Sequence, residues 1–167
     1  MNPANSACPG CAVILPCIDR HVDKRYHASP ACFALFCELS GYTLMRSRQT
    51  FVHQLAIDAY AAQHVAARSP GIGPAFALIT LCLVADHDCT GRQAQDAHLL
   101  LARKKRDWPR FVPPDRVGLM TVRNIMRAPA GDERDRLIGK WVDDVWQAWS
   151  HEHARVKELV VPLLQGG

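Results

Sequence analysis

Proline, glycine and capping residues cut this chain into helix-length pieces, and that punctuation limits the folds open to it more than any other feature. Ser29 followed by Pro30 is a helix start: the serine side chain satisfies a free N–H, and the proline has none to lose. The first helix is expected over 30–39, through Cys32, Phe33, Leu35, Phe36 and Leu39, with a stop at Ser40-Gly41. A long helix is expected over 47–68, ended by Ser69-Pro70-Gly71, and a third over 74–87. Thr90 and Gln93 have capping-box spacing and open a fourth, running to Arg106. Pro109, Pro113 and Pro114 make 107–117 a loop, 121–127 is a short helical turn at best, and a last long helix covers 132–161 before Pro162. No alternating pattern of strand length and no internal repeat is visible. The expected fold is all-α, an antiparallel bundle of about five helices, with the whole chain, 1–167, forming one helical domain. Residues 1–28 are expected to form an irregular, cysteine-rich, zinc-knuckle-like flap over one end.

Hydrophobic residues at 49% and charged residues at 22% are a globular balance and exclude a disordered chain. No apolar run reaches the roughly 18–20 residues that span a bilayer, and residues 1–10 lack the basic-then-apolar order of a secretion signal. A soluble, cytoplasmic protein with no membrane partner is therefore expected. Seven cysteines without a secretion signal then read as metal ligands or buried thiols rather than disulfides. The net charge of +4 is modest. Its densest run, Arg103-Lys104-Lys105-Arg106, falls at an expected helix C-terminus, where cations offset the helix dipole, so nucleic acid is not an expected partner. A homodimer is compatible with the sequence.

Cys8-Pro9-Gly10-Cys11 is the first constellation with chemical content. Two thiolates separated by two residues, with a glycine in the turn, can face one metal ion, and zinc takes four ligands, mostly thiolate or imidazole. Cys32, in the first turn of its helix, is the obvious third, because a helix N-terminus favours thiolate. The fourth is open among His27, Cys17, Cys37 and a histidine arriving from the bundle. The competing readings are free thiols in a loose segment, or a redox dithiol, which usually opens a helix after a strand.

The second constellation is VHQLAIDAYAAQH at 52–64. His53, Ile57, Tyr60 and His64 fall along one stripe of a helix, but the two histidines are about 16 Å apart along its axis and cannot share an ion. Asp58 sits in the most apolar part of this helix, so it is either held by a donor from another helix or serves as a ligand or general base. In the last helix Val142, Val145, Trp146, Trp149, Val156 and Val160 form an apolar stripe that includes His153, whereas His151 faces water. His153 reads as a hydrogen-bonded core group, or as one that meets His53, His64 or Asp58 in a second site. His87 and His98 lack clear partners, and Cys82 reads as packing. No glycine-rich phosphate loop, nucleophile elbow or HExxH motif is present.

With these segments in hand, the chain resembles an uncharacterised bacterial family catalogued as domain of unknown function 5946. The resemblance is carried by CPGC at 8–11, YHASPACFALFCEL at 26–39, VHQLAIDAYAAQH at 52–64, LITLCLV at 78–84 and WVDDVWQAWSHEHARVKEL at 141–159. It implies that Cys8, Cys11, Cys32, His53, Asp58, His64 and His153 are the family's recurring polar positions. Phe33 stands where tryptophan is common, Val65 where proline often follows, and the stretch after Cys11, with its added Cys17, is atypical. The resemblance makes His64 the preferred fourth ligand and His27 its substitute, and leaves His53, Asp58 and His153 as a pocket or second site. It implies no activity. Three functional classes follow: a structural zinc domain with a binding or regulatory role, a metal-dependent hydrolase or transferase with its site in the bundle, and a thiol-based redox or metal sensor.

Overall fold

The computed structural model describes residues 4–46, 51–66, 69, 71–103 and 107–165. Residues 47–50 and 67–68 at the ends of the expected second helix, and 104–106 of the basic run, lie outside the described residues. Two short antiparallel strands, β1 (Asn5–Ala7) and β2 (Ile14–Pro16), pair with Ser6 opposite Leu15. Seven α-helices follow among the described residues: α1 (Pro30–Met45), α2 (Val52–Gln63), α3 (Ile72–His87), α4 (Gly91–Ala102), α5 (Val122–Arg127), α6 (Asp132–Ala148) and α7 (His153–Leu164). The fold is thus mostly helical, as expected, and its cysteine-rich N-terminal segment holds one short hairpin followed by irregular chain. Strands of three residues are too short to show a period of two, so no alternation marks them.

Local capping works as the sequence suggests. Ser29 Oγ accepts from the Cys32 amide at 3.3 Å, with Pro30 beside it. Thr90 Oγ1 accepts from the Gln93 amide, and Gln93 Oε1 from the Thr90 amide. Helix α1 nevertheless runs past Ser40-Gly41 to Met45. A Cβ at Gly41 would have no neighbour within 4 Å, so the glycine lies on the open side of α1. It costs about 1 kcal/mol of helix propensity, while the opposite face buries Leu39 and Thr43. Packing outweighs the break signal.

The expected helix over 132–161 is two helices. Between α6 and α7 lies a 3-10 turn, Ser150–Glu152. The carbonyl of Trp146 accepts from the Trp149 amide at 3.0 Å and pairs with His153 Nε2 at 2.8 Å, and the His153 ring stacks on Trp146 at 3.7 Å. A side chain thus takes the acceptor that a continuous helix would give to residue 150, and the ladder tightens there. Pro162 does not stop the chain but sits inside α7, where the carbonyl left without its amide belongs to the exposed Glu158.

α2 and α3 pack on each other and both pack on α6, with α1 against α2 and α7 against α3. Trp141, Trp146 and Trp149 are fully buried between them. The irregular stretch before α5 is held by side chains of the bundle. Gln63 Nε2 donates to the carbonyls of Val117 and Met120 at 2.7 and 2.6 Å. Asp144 Oδ2 accepts from the amides of Leu119 and Met120 at 2.7 and 2.8 Å. Gly118 has φ +88°, and any Cβ there would collide with the Asp144 carboxylate. No helix among the described residues is long and apolar enough to cross a membrane.

Candidate metal centre

The turn of the β1–β2 hairpin carries Cys8, Cys11 and the residues between them. The Cys8 amide donates to Val13 O at 2.8 Å and the Ala12 amide to Cys8 O at 2.9 Å, which folds both thiols to one side. This tight turn holds Ala12 at φ +59°. Cys32 projects from the first turn of α1, and His64 caps the C-terminus of α2. The structure brings these four together: three sulfurs and one ring nitrogen all lie within 4.8 Å of one another, so they could hold one metal ion. Cys11 Sγ is 3.7 Å from Cys32 Sγ, and Cys32 Sγ is 3.4 Å from His64 Nε2. A tetrahedron with metal–sulfur bonds of about 2.3 Å and a metal–nitrogen bond of about 2.0 Å separates its corners by roughly 3.8 and 3.5 Å.

The groups around the four donors orient them. His64 Nδ1 lies 2.8 Å from the Tyr60 carbonyl one turn earlier, and its ring stacks on the Tyr60 ring at 3.9 Å. An Nδ1–H that donates to this carbonyl leaves the Nε2 lone pair facing the sulfurs, the arrangement that metal-ligating histidines use. The Ser29 amide donates to Cys8 Sγ at 3.4 Å, and the Tyr60 hydroxyl to Cys32 Sγ at 3.8 Å. Cys8, Cys32 and His64 are buried, and Cys11 is half-buried.

Hydrogen bonds from the Cys11 and Cys32 thiols hold the Cys8 thiol far below its usual range. Cys11 is helped to ionise by Cys32, yet the hydrogen bond and charge of Cys8 together with burial push it up to about 12. Cys32 is raised as well, by its bonds to Cys11 and Cys8 and by burial. The three thiols thus compete for negative charge at close range, with Cys8 the favoured one.

Gly10 fits the hairpin against the end of α2. A Cβ there would lie 2.5 Å from both the His27 carbonyl oxygen and His64 Cδ2, and 3.0 Å from the Gln63 carbonyl. The Gly10→Ala variant is expected to lose about 1–3 kcal/mol in urea denaturation, because two of the three atoms it meets are backbone. Loss below 0.3 kcal/mol, within the usual range of a neutral surface change, would contradict this close approach.

The other residues singled out in the sequence go elsewhere. His27 is exposed and contributes only its amide, which donates to His64 O at 2.8 Å beside the Tyr26–Val65 bridge. Cys17 and Cys37 are exposed. His53 Nδ1 pairs with Thr43 Oγ1 at 2.8 Å, and burial lowers its pKa. Asp58 is buried and accepts from Gln54 Nε2 at 2.7 Å, while His153 lies on Trp146. These three have separate partners and are not brought together as one site. His151, expected to face water, is exposed and pairs with Val112 O at 2.9 Å. Two roles escaped sequence reasoning: Tyr60 as the anchor of His64, for which the four-residue spacing on one helix face was a signal, and His98 beside Asp58, for which there was none.

No curated protein and no solved structure matches the chain. One family model does, over residues 6–150, a span that contains all four clustered donors and ends before α7. On that match the chain belongs to the family described as "Family of unknown function (DUF5946)".

Proposed function

We propose that Cys8, Cys11, Cys32 and His64 bind one zinc ion as a closed structural site, and that the domain so stapled serves a binding or regulatory role. The observation that supports this most directly is the donor set itself: four zinc-type ligand atoms from three separate segments, mutually within 4.8 Å. Soft thiolates with one imidazole suit zinc over magnesium, calcium or manganese. The ion would tie the hairpin, the start of α1 and the end of α2 into one unit. Four protein donors complete a tetrahedron, so this reading assigns the ion no open position for substrate or water and places no catalysis on it. The reduced thiols such a site requires fit the cytoplasm.

Elemental analysis of untagged protein tests the proposal, with an expected content of about one zinc per chain for a single four-ligand site. Cobalt substitution should give the intense visible bands of a tetrahedral, thiolate-rich centre; an octahedral spectrum, or no metal, would overturn the reading. Because ligand thiols must lose their protons, apparent affinity should rise with pH near neutrality and fall on acidification. Chelator competition at two pH values measures that slope, and a flat profile would mean that the thiols are not ligands.

A further inference from the structure

A cavity of about 350 Å³ lies beside α2, bounded by α3 and α4 and by Arg25 and Tyr26, and none of the four clustered donors lines it. That volume is enough for a small organic molecule. Its walls are mostly apolar, with Ala61, Val65, Ile72 and Phe76 among them, and the acid in the wall is Asp58. This side chain is only 5% exposed. Its carboxylate accepts from Gln54 Nε2 at 2.7 Å and from Thr80, and lies 3.9 Å from His98 Nε2.

A buried carboxylate in such surroundings needs a cation or it gives up its charge. His98 does not fill that role. Its Nε2 lies 3.0 Å from the Phe76 carbonyl and 2.9 Å from Thr80 Oγ1, and its Nδ1 faces the Gln54 side-chain amide at 3.5 Å. Both Nε2 contacts are shorter than its 3.9 Å distance to the Asp58 carboxylate, so the ring is held by other partners and makes no hydrogen bond to the acid. Arg25, at the mouth, forks onto Asp23 at 2.7 and 2.9 Å and is 74% exposed. Burial accordingly raises the Asp58 carboxyl above the usual range, against the opposing pull of His98, Thr80 and Gln54. Among the described residues, no cation lies within hydrogen-bond distance of this carboxylate, and the Tyr26 and Phe76 rings, which can attract one, line the same space.

We propose that this cavity binds a small organic amine, its ammonium on the buried Asp58 carboxylate between the Tyr26 and Phe76 rings and its apolar body against Val65 and Ile72. The site is separate from the metal reading, and its failure is distinguishable from the failure of that reading because metal content is measured on every sample.

The experiment uses the full chain as purified, labelled with nitrogen-15 and titrated with three probes of one shape: benzylamine, benzyl alcohol and benzoate. Benzylamine should shift the amide signals of Ala61, Val65 and Gly73 and bind at least about tenfold more tightly than the alcohol, a typical margin for a charge-assisted bond; benzoate should not bind. Asp58→Asn should erase the preference for the amine. Gly73→Leu is a second variant, since a Cβ there meets no atom within 4 Å. It should abolish binding of every probe while thermal midpoint and metal content stay unchanged, so the test stands even if Asp58→Asn fails to fold. Benzoate or benzyl alcohol binding as tightly as the amine, amine binding that survives Gly73→Leu, or no shift with any probe would overturn the proposal.

Discussion

With zinc held by the four donors as proposed, replacing Cys32 with alanine is expected to abolish metal binding and to destabilise the protein by about 3–5 kcal/mol, the range for losing a buried anchor together with its partners. At this chain length that is a fall of roughly 6–20 °C in thermal midpoint. Cys32 stands at the centre of the cluster: its sulfur is 3.7 Å from Cys11 Sγ and 3.4 Å from His64 Nε2, and it receives the Tyr60 hydroxyl. Without it the hairpin keeps its own short ladder and a few contacts to the bundle, such as the Arg123 bond to Ile14 O, whereas the tryptophan-rich core between α2, α3 and α6 keeps its packing. The loss should therefore be uneven. Limited trypsin digestion should cut at Arg20, Lys24 or Arg25 in the variant long before it cuts the helices, because the hairpin opens while the bundle persists. Cys17→Ala and Cys37→Ala, at exposed thiols outside the cluster, should change neither metal content nor midpoint. A Cys32→Ala protein that retained its metal would remove this cysteine from the site, and one that lost metal with an unchanged midpoint would leave the ion without a structural role.

The Trp141→Ala substitution should cost about 4–5 kcal/mol by urea denaturation, the upper range for truncating a buried aromatic. Trp141 is fully buried, and its indole N–H donates to Gln63 Oε1 at 3.1 Å. Gln63 in turn holds the Val117 and Met120 carbonyls, so truncation both opens a cavity and leaves an amide oxygen without its donor next to the loop it anchors. Trp141→Phe separates the two effects. It keeps most of the ring volume and should cost about 1–2 kcal/mol, the loss of one buried hydrogen bond. Equal costs for the two variants would mean that the hydrogen bond rather than the packing dominates, and a cost below 1 kcal/mol for alanine would contradict the placement of this residue in the core.

Helix starts were legible because capping is local. Ser29-Pro30 and Thr90 with Gln93 each act within one turn, and each forms the contact its spacing suggests. Breaks were less legible. Ser40-Gly41 carries a stop signal worth about 1 kcal/mol, which the burial of Leu39 and Thr43 outweighs. Trp149 to Glu152 carries no stop signal at all, and the turn there follows from His153 folding back onto Trp146, a contact that periodicity alone cannot supply.

By itself the sequence determined the mostly helical class, the capped helix starts, and the pairing of Cys8 with Cys11 in a single turn, because each depends on groups a few residues apart. It left His27, Cys17, Cys37 and the bundle histidines equal as fourth donors until the family resemblance pointed to His64. Only the tertiary structure decided that His64 meets Cys32, thirty-two positions away, at 3.4 Å, that Gly10 leaves room for that approach, and that Asp58 faces His98 rather than His53 or His153. The physical reason is common to all three. Such contacts join segments whose separation along the chain carries no periodic signal, and their geometry exists only once the shared core has set the helices side by side.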